Sequence, residues 1–239
     1  MSKKIVSFSL WGDDPKYLVG ALKNIHLMPK VYPGWTARFY IPHEQLVGPN
    51  GHALINEFLM TGHEKEYVET NTKIEIHGMA EPGTWHGMFW RFQPASEDDV
   101  DVFISRDCDS RISLREAAAV EEWIKSPYLV HSMADHPYHF HPKAGLMGGM
   151  FGMKRHACPQ MKDLIAQFKA KYPNAWQCDQ DFLRDYVFPL VAHKTFPTSD
   201  IHAGCNKFPL PREDGAFVGE IIGPSDEILH PEHRAMRNA

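Results

Sequence analysis

The stretch that most constrains this chain is residues 100–113, VDVFISRDCDSRIS. Val102, Phe103 and Ile104 are apolar β-formers that predict a buried strand, and the run breaks at once into Arg106, Asp107, Cys108, Asp109, Ser110 and Arg111. Such a change from apolar to charged marks a strand end. In an open α/β sheet ligands sit beyond the carboxyl ends of strands, so two carboxylates one residue apart at this point are placed to hold a cation. Mg²⁺ and Mn²⁺ prefer carboxylate oxygens and commonly complete their shells with substrate phosphates, so a metal held here would suit a diphosphate ligand. A polar turn whose aspartates bond to nearby amides gives the same Asp-x-Asp pattern; the flanking strand and the two arginines favour the cation.

Strand-like and helix-like segments alternate along the chain. Residues 5–10, 36–41, 72–76 and 128–132 read as strands, and the alternation predicts an α/β domain with a mainly parallel central sheet flanked by helices. Asp14 and Pro15 supply an N-cap and a favoured first helical residue, after which Leu18, Ala21, Leu22 and Ile25 mark one helical face. Residues 44–60 contain a Gly-Pro-Asn-Gly break before a short helix. In residues 83–93, Trp85, Met88, Phe89 and Phe92 form a core-facing stripe, with Trp90 and Arg91 off it. Arg91 offers a planar fork of donors suited to a phosphate or a sugar hydroxyl. Ser113 and Glu116 make a capping box. Met161, Leu164, Ile165 and Phe168 predict a packing helix, and a further helix from Cys178 is expected to stop at Pro189. From residue 195 onward irregular structure is expected, with one strand at 217–222 and a mobile tail at 230–239.

A length of 239 residues suits one domain with a substantial core. The net charge of −5 gives no basic field for nucleic acid or an anionic membrane, so a nucleotide must be held by local chemistry. The first residues turn polar at 11–16 and no later apolar run is long enough to cross a bilayer. The expectation is a cytoplasmic protein with no transmembrane segment. Cys108, Cys158, Cys178 and Cys205 are widely spaced with no C-x-x-C pair, which favours reduced thiols. His139 and His141 alternate in a polar loop as a weak zinc-type pair, and Gly148 and Gly149 allow close backbone approach or a bulge.

The segment FISRDCDSR resembles the DxD motif of GT-A-fold, nucleotide-sugar-dependent glycosyltransferases, and its RDxDSR form resembles a group of small bacterial and viral members. The runs MFWRF, HSMADHPYH and Asp179-Gln180-x-x-Leu183 are similar to segments of the same group. The resemblance implies a single GT-A-like, Rossmann-like domain, with a nucleotide-binding half at 1–112 and a donor-sugar and acceptor half at 113–229. It further implies Asp107 and Asp109 as ligands of Mn²⁺ or Mg²⁺, with His202 as a third. Ser7, Leu10, Trp11, Asp14, Arg91, Arg106, Asp107, Cys108, Gly148 and Gly149 become candidates for contact with nucleotide or sugar. Asp179, Asp181 and Asp135 are candidates for acid-base work at the reacting hydroxyl.

The implied reaction moves a sugar from a UDP- or GDP-type donor to a hydroxyl acceptor such as a glycan, by a retaining or an inverting route. Two alternatives stand beside it. One is a metal-dependent hydrolase using Asp107, Asp109 and the loop histidines; the other is a nucleotide-sugar-binding module without turnover.

Overall fold

Alternation within the central strands decides what lies on each side of the sheet. Val6, Phe8, Phe39 and Ile104 join one buried cluster, whereas Ile5 and Phe103, one residue out of phase, join another. The computed structural model describes residues 2–236. Strands β1 (Lys4–Ser9), β2 (Thr36–Pro42), β3 (Lys73–Met79), β4 (Val102–Arg106), β5 (Val130–Met133), β6 (Phe151–Lys154) and β7 (Thr195–Thr198) form one sheet in the order β3-β2-β1-β4-β6-β5-β7. The pairs β1–β2, β2–β3, β1–β4 and β5–β7 are parallel; β6 runs antiparallel to β4 and β5. The mainly parallel sheet expected from the sequence is present.

Helix α1 (Pro15–Val31), between β1 and β2, and α5 (Leu114–Lys125), after β4, cover the first face through Ala21, Ile25, Met28, Val120 and Trp123. Between β2 and β3 lie α2 (His43–Leu46), α3 (Pro49–Gly62) and α4 (Lys65–Thr70). The second face is covered by a 3₁₀ helix (Trp85–Ser96), α6 (Met161–Lys171) and α7 (Cys178–Phe182), which bring Phe89, Phe92, Met161, Phe168 and Phe182 together. A π-helical turn (Leu183–Val187) leads into α8 (Phe188–Val191), and α9 (Pro231–Ala235) comes last.

Several local expectations are corrected. The tight 3₁₀ winding keeps Phe89 and Phe92 in one line, but the helix is wedged between sheet and α6, so Trp90 and Arg91 are buried as well and Trp85 is exposed. Pro189 does not stop its helix: it falls in the first turn of α8, where a missing N–H costs least, and the π turn before it carries the chain through. The capping box is half made. Ser113 Oγ accepts from the Glu116 N–H, but the Glu116 carboxylate accepts instead from Arg106 Nε and Tyr32 Oη, both at 2.9 Å. In the C-terminal region the strand is β7, and residues 217–222 form none; Ile222 makes only an isolated bridge with Ile228. Within the stretch expected to be mobile, α9 is anchored by Arg234, which donates to both oxygens of Glu220 at 2.5 and 2.7 Å; residues 237–239 lie outside the described part.

After β1 the chain moves outward to β2 and β3, then returns to place β4 on the other side of β1. The carboxyl ends of β1 and β4 are therefore a topological switch point, where loops diverge and leave a crevice. Asp107 and Asp109 follow β4, and the Gly12–Pro15 turn follows β1.

Candidate active site

The register of the sheet assembles the site. Ser105 on β4 pairs antiparallel with Phe151 on β6, so two residues further along β4 and two back from Phe151, Asp107 comes opposite Gly149. A side chain at Gly149 would collide with the Asp107 carboxylate. Gly148 is held by Ser105 Oγ, which donates to its carbonyl oxygen at 2.5 Å. A methyl group there would lie 2.7 Å from both Arg91 Nη2 and Asp179 Oδ2. Both glycines are required by close approach.

Arg91 joins the carboxylates. Its backbone N–H donates to Ser9 Oγ at 3.1 Å, which fixes the 3₁₀ helix against the end of β1. Its guanidinium donates to Asp107 Oδ1 through Nη1 and to Asp179 Oδ2, at 3.1 Å, through Nη2. Asp179 also accepts from the Gln180 N–H and side-chain amide, at 3.0 and 3.3 Å. Burial raises the Asp179 carboxyl above its ordinary range; Arg91 opposes the shift and Asp107 adds to it.

Negative charge is in excess at this point. Asp109 is nearly buried, and its carboxyl is pushed up to about 6 by desolvation first and by Asp107 second. Lys16 Nζ lies 3.8 Å from Asp109 Oδ2 and 3.8 Å from Asp14 Oδ2, so the one nearby lysine is shared. The Lys16 pKa is raised: burial pulls it down, but Tyr17, Asp109 and Asp14 outweigh that. Beside this group opens a cavity of about 560 Å³ lined by Leu10, Asp13, Asp14, Leu18, Ile41 and Gln45, among others.

Of the residues singled out in the sequence, the structure brings together Arg91, Asp107, Asp179, Gly148 and Gly149, with Asp109 next to them. Leu10 and Asp14 line the cavity, while Trp11 packs edge-on against Trp85 and over Gly87. Others turn elsewhere. Ser7 is wholly buried in mid-strand and its hydroxyl has no partner. Arg106 points beneath the sheet to Glu116. The Cys108 thiol sits in the core, donating to the Ser9 carbonyl oxygen, and burial raises its pKa far above the usual range.

Asp135 is a structural group. It is inaccessible, and its Oδ1 accepts from Arg115 Nη2 and Arg212 Nε while Oδ2 accepts from Arg115 Nε and the Val218 N–H. Four donors leave no lone pair for an acceptor hydroxyl. Asp181 is half exposed and pairs at 2.9 Å with Arg184, one helical turn away. The His202 ring nitrogen lies 3.2 Å from the His139 carbonyl oxygen, and His202 does not complete a group of three ligand atoms with Asp107 and Asp109. His139 accepts from the Asp135 N–H, and burial pushes its pKa down to about 3.

Sequence reasoning missed Lys16 and Gln180. Lys16 had a signal, since it lies in the first turn of the helix that follows β1, at the switch point; Gln180 had one in standing next to Asp179.

An α/β domain with a mostly parallel sheet, an antiparallel β6 and a carboxylate pair at the β1–β4 switch point has a GT-A-like, Rossmann-type fold. The solved structure of a glycosyltransferase involved in glycosylation of the major capsid of PBCV-1 superposes with a TM-score of 0.50 at 14% identity, covering 82% of this chain and 81% of that one. A 4-diphosphocytidyl-2C-methyl-D-erythritol synthase from Anaerococcus prevotii is a weaker likeness, with a TM-score of 0.41 at 10% identity over 83% of this chain and 87% of that one. No family model matches the chain, and no curated protein matches it in sequence. Among the described residues no helix is long and apolar enough to cross a membrane.

Proposed function

We propose that the protein is a metal-dependent glycosyltransferase that moves a sugar from a nucleoside-diphosphate donor to an acceptor hydroxyl. The observation that carries this reading is the Asp107–Arg91–Asp179 constellation, packed against Gly148 and Gly149 at the switch point of a GT-A-like fold.

The donor set fits a hard divalent cation. Burial and the neighbouring Asp107 hold the Asp109 carboxyl up to about 6 against the opposing charges of Lys16 and Arg91, so an oxygen-preferring Mn²⁺ or Mg²⁺ would relieve an existing repulsion. Asp107 and Asp109 would hold the ion, with substrate oxygens and water as its remaining ligands. Bound there, it would supply Lewis acidity against the charge of a departing diphosphate.

The residues of the chain do the rest. The cavity behind the Gly12–Pro15 turn has the size of a nucleoside site. Lys16 adds a positive charge between that cavity and the carboxylate pair. Arg91 holds Asp107 and Asp179 at a fixed separation, so one side chain couples the diphosphate end of the site to the sugar end. Asp179 Oδ1 accepts only from the Gln180 N–H and keeps a lone pair for a sugar or acceptor hydroxyl. Desolvation makes that carboxylate a better proton acceptor than an ordinary aspartate.

The test is a thermal-shift and calorimetric panel of UDP- and GDP-sugars with and without Mn²⁺, run on the wild type and on Asp109→Asn. A matched donor should stabilise the wild type only with Mn²⁺ present, and Asp109→Asn should lose that effect while folding normally. Equal diphosphate affinity in the variant overturns the metal site. Donor binding without transfer or hydrolysis across a broad acceptor panel indicates a binding module.

A further inference from the structure

Away from the carboxylate pair, His230, Glu232 and His233 each offer a ligand atom, and the three atoms lie within 4.8 Å of one another; this is the only such group among the described residues. His230 Nδ1 is 3.3 Å from Glu232 Oε1, and His233 Nε2 is 3.9 Å from the same oxygen. A tetrahedral zinc ion with bonds of about 2.0–2.1 Å sets its ligand atoms about 3.3 Å apart. The first edge already has that length; the second is longer and the imidazole nitrogens are within 4.8 Å of each other, so the exposed Glu232 carboxylate and one imidazole would turn to close the set.

The backbone that carries these side chains is fixed by groups that are not ligands. Arg234 is tied to Glu220 through two hydrogen bonds. His136 Nε2 lies 3.3 Å from the His233 carbonyl oxygen, where only an N–H can bond, and the His136 ring is stacked on Phe217 at 4.6 Å. The His230 and His233 rings themselves stack at 4.8 Å and 19°, so one of them would rotate out of the stack to direct its in-plane lone pair at a shared ion. A cavity of about 180 Å³, lined by His136, Tyr138, His139, His230 and His233, borders the group and leaves room for a fourth ligand such as water.

We infer that His230, Glu232 and His233 form a zinc site that is separate from Asp107 and Asp109 and that locks the α9 turn. Donor chemistry separates the two sites: two imidazoles and one carboxylate suit Zn²⁺, whereas the oxygen-only pair suits Mn²⁺ or Mg²⁺. The fixed backbone means that little ordering of the chain opposes binding.

Metal-stripped full-length protein is titrated with ZnCl₂ in a calorimeter, and its melting temperature is followed in parallel. One zinc ion per chain should bind and raise the melting temperature. Glu232→Gln should weaken binding by roughly tenfold or more, and the double variant His230→Ala, His233→Ala should abolish it with an unchanged circular dichroism spectrum. His141→Ala and Asp109→Asn should bind zinc as the wild type does. Absence of zinc binding in the wild type, full binding in the double histidine variant, or its loss in Asp109→Asn overturns the proposal.

Discussion

Two carboxylate-bearing loops leave this sheet at β4 and β5, the strands on either side of β6, and they are built in opposite ways. Asp135, two residues after β5, is sealed from solvent and receives four hydrogen bonds, three of them from arginines. Asp107 and Asp109, just after β4, face each other with Arg91 on one side and a shared Lys16 on the other. The first carboxylate is finished as a structural pin, since all its lone pairs are used. The second pair retains acceptor capacity and repulsion, which is the state that the proposed cation site requires.

The sharpest break in the comparison is expected at Asp135. Asp135→Ala leaves Arg115 and Arg212 without their shared buried partner and should lower stability by about 3–5 kcal/mol, read from urea denaturation. A loss under about 1 kcal/mol would mean that the two loops are not different in kind.

Next in size is Asp179→Asn, which keeps shape and an oxygen acceptor while removing the charge opposite Arg91. Sugar transfer should fall roughly a hundredfold with the donor diphosphate still bound. Full transfer activity would reduce Asp179 to a brace for Arg91.

The smallest effect is one of pH. Asp109 takes up its proton at about 6 in the folded chain against 3.8 ordinarily, so the folded state binds that proton more tightly than the unfolded state does. Its contribution to stability is therefore fully present below 3.8 and is lost as pH rises through about 6. The stability difference between wild type and Asp109→Asn should shift in favour of the wild type as pH falls through that window. Mn²⁺ affinity should change in the opposite sense, weakening below about pH 6 as the proton competes for the carboxylate. A stability difference independent of pH would show that Asp107 and burial do not act on Asp109 as argued.

Much of the framework was legible in the residues themselves. The apolar run 102–104 before RDCDSR announced a buried strand and its end, Asp14 and Pro15 announced the start of α1, and the alternation of segments announced the mainly parallel sheet. These are local signals: periodicity, capping and turn chemistry act over a few residues and survive in one dimension. The position of Asp107 and Asp109 just beyond the end of β4 was legible for the same reason, since both follow the apolar run directly in sequence.

Tertiary structure decided which polar side chains reach the site. Nothing local distinguishes Asp135 from Asp179; the first met two arginines from distant segments, and the second met Arg91. Arg106 and Cys108 flank Asp107 but turn the other way, because side chains alternate across a strand and the next residue along faces the opposite layer. The need for Gly149 came from an antiparallel register with a strand more than 40 positions away, and the Glu116 side chain was drawn off its cap by Arg106 and Tyr32. Each of these outcomes depends on a partner supplied by long-range pairing, so the residue type alone left it open until the sheet had closed around it.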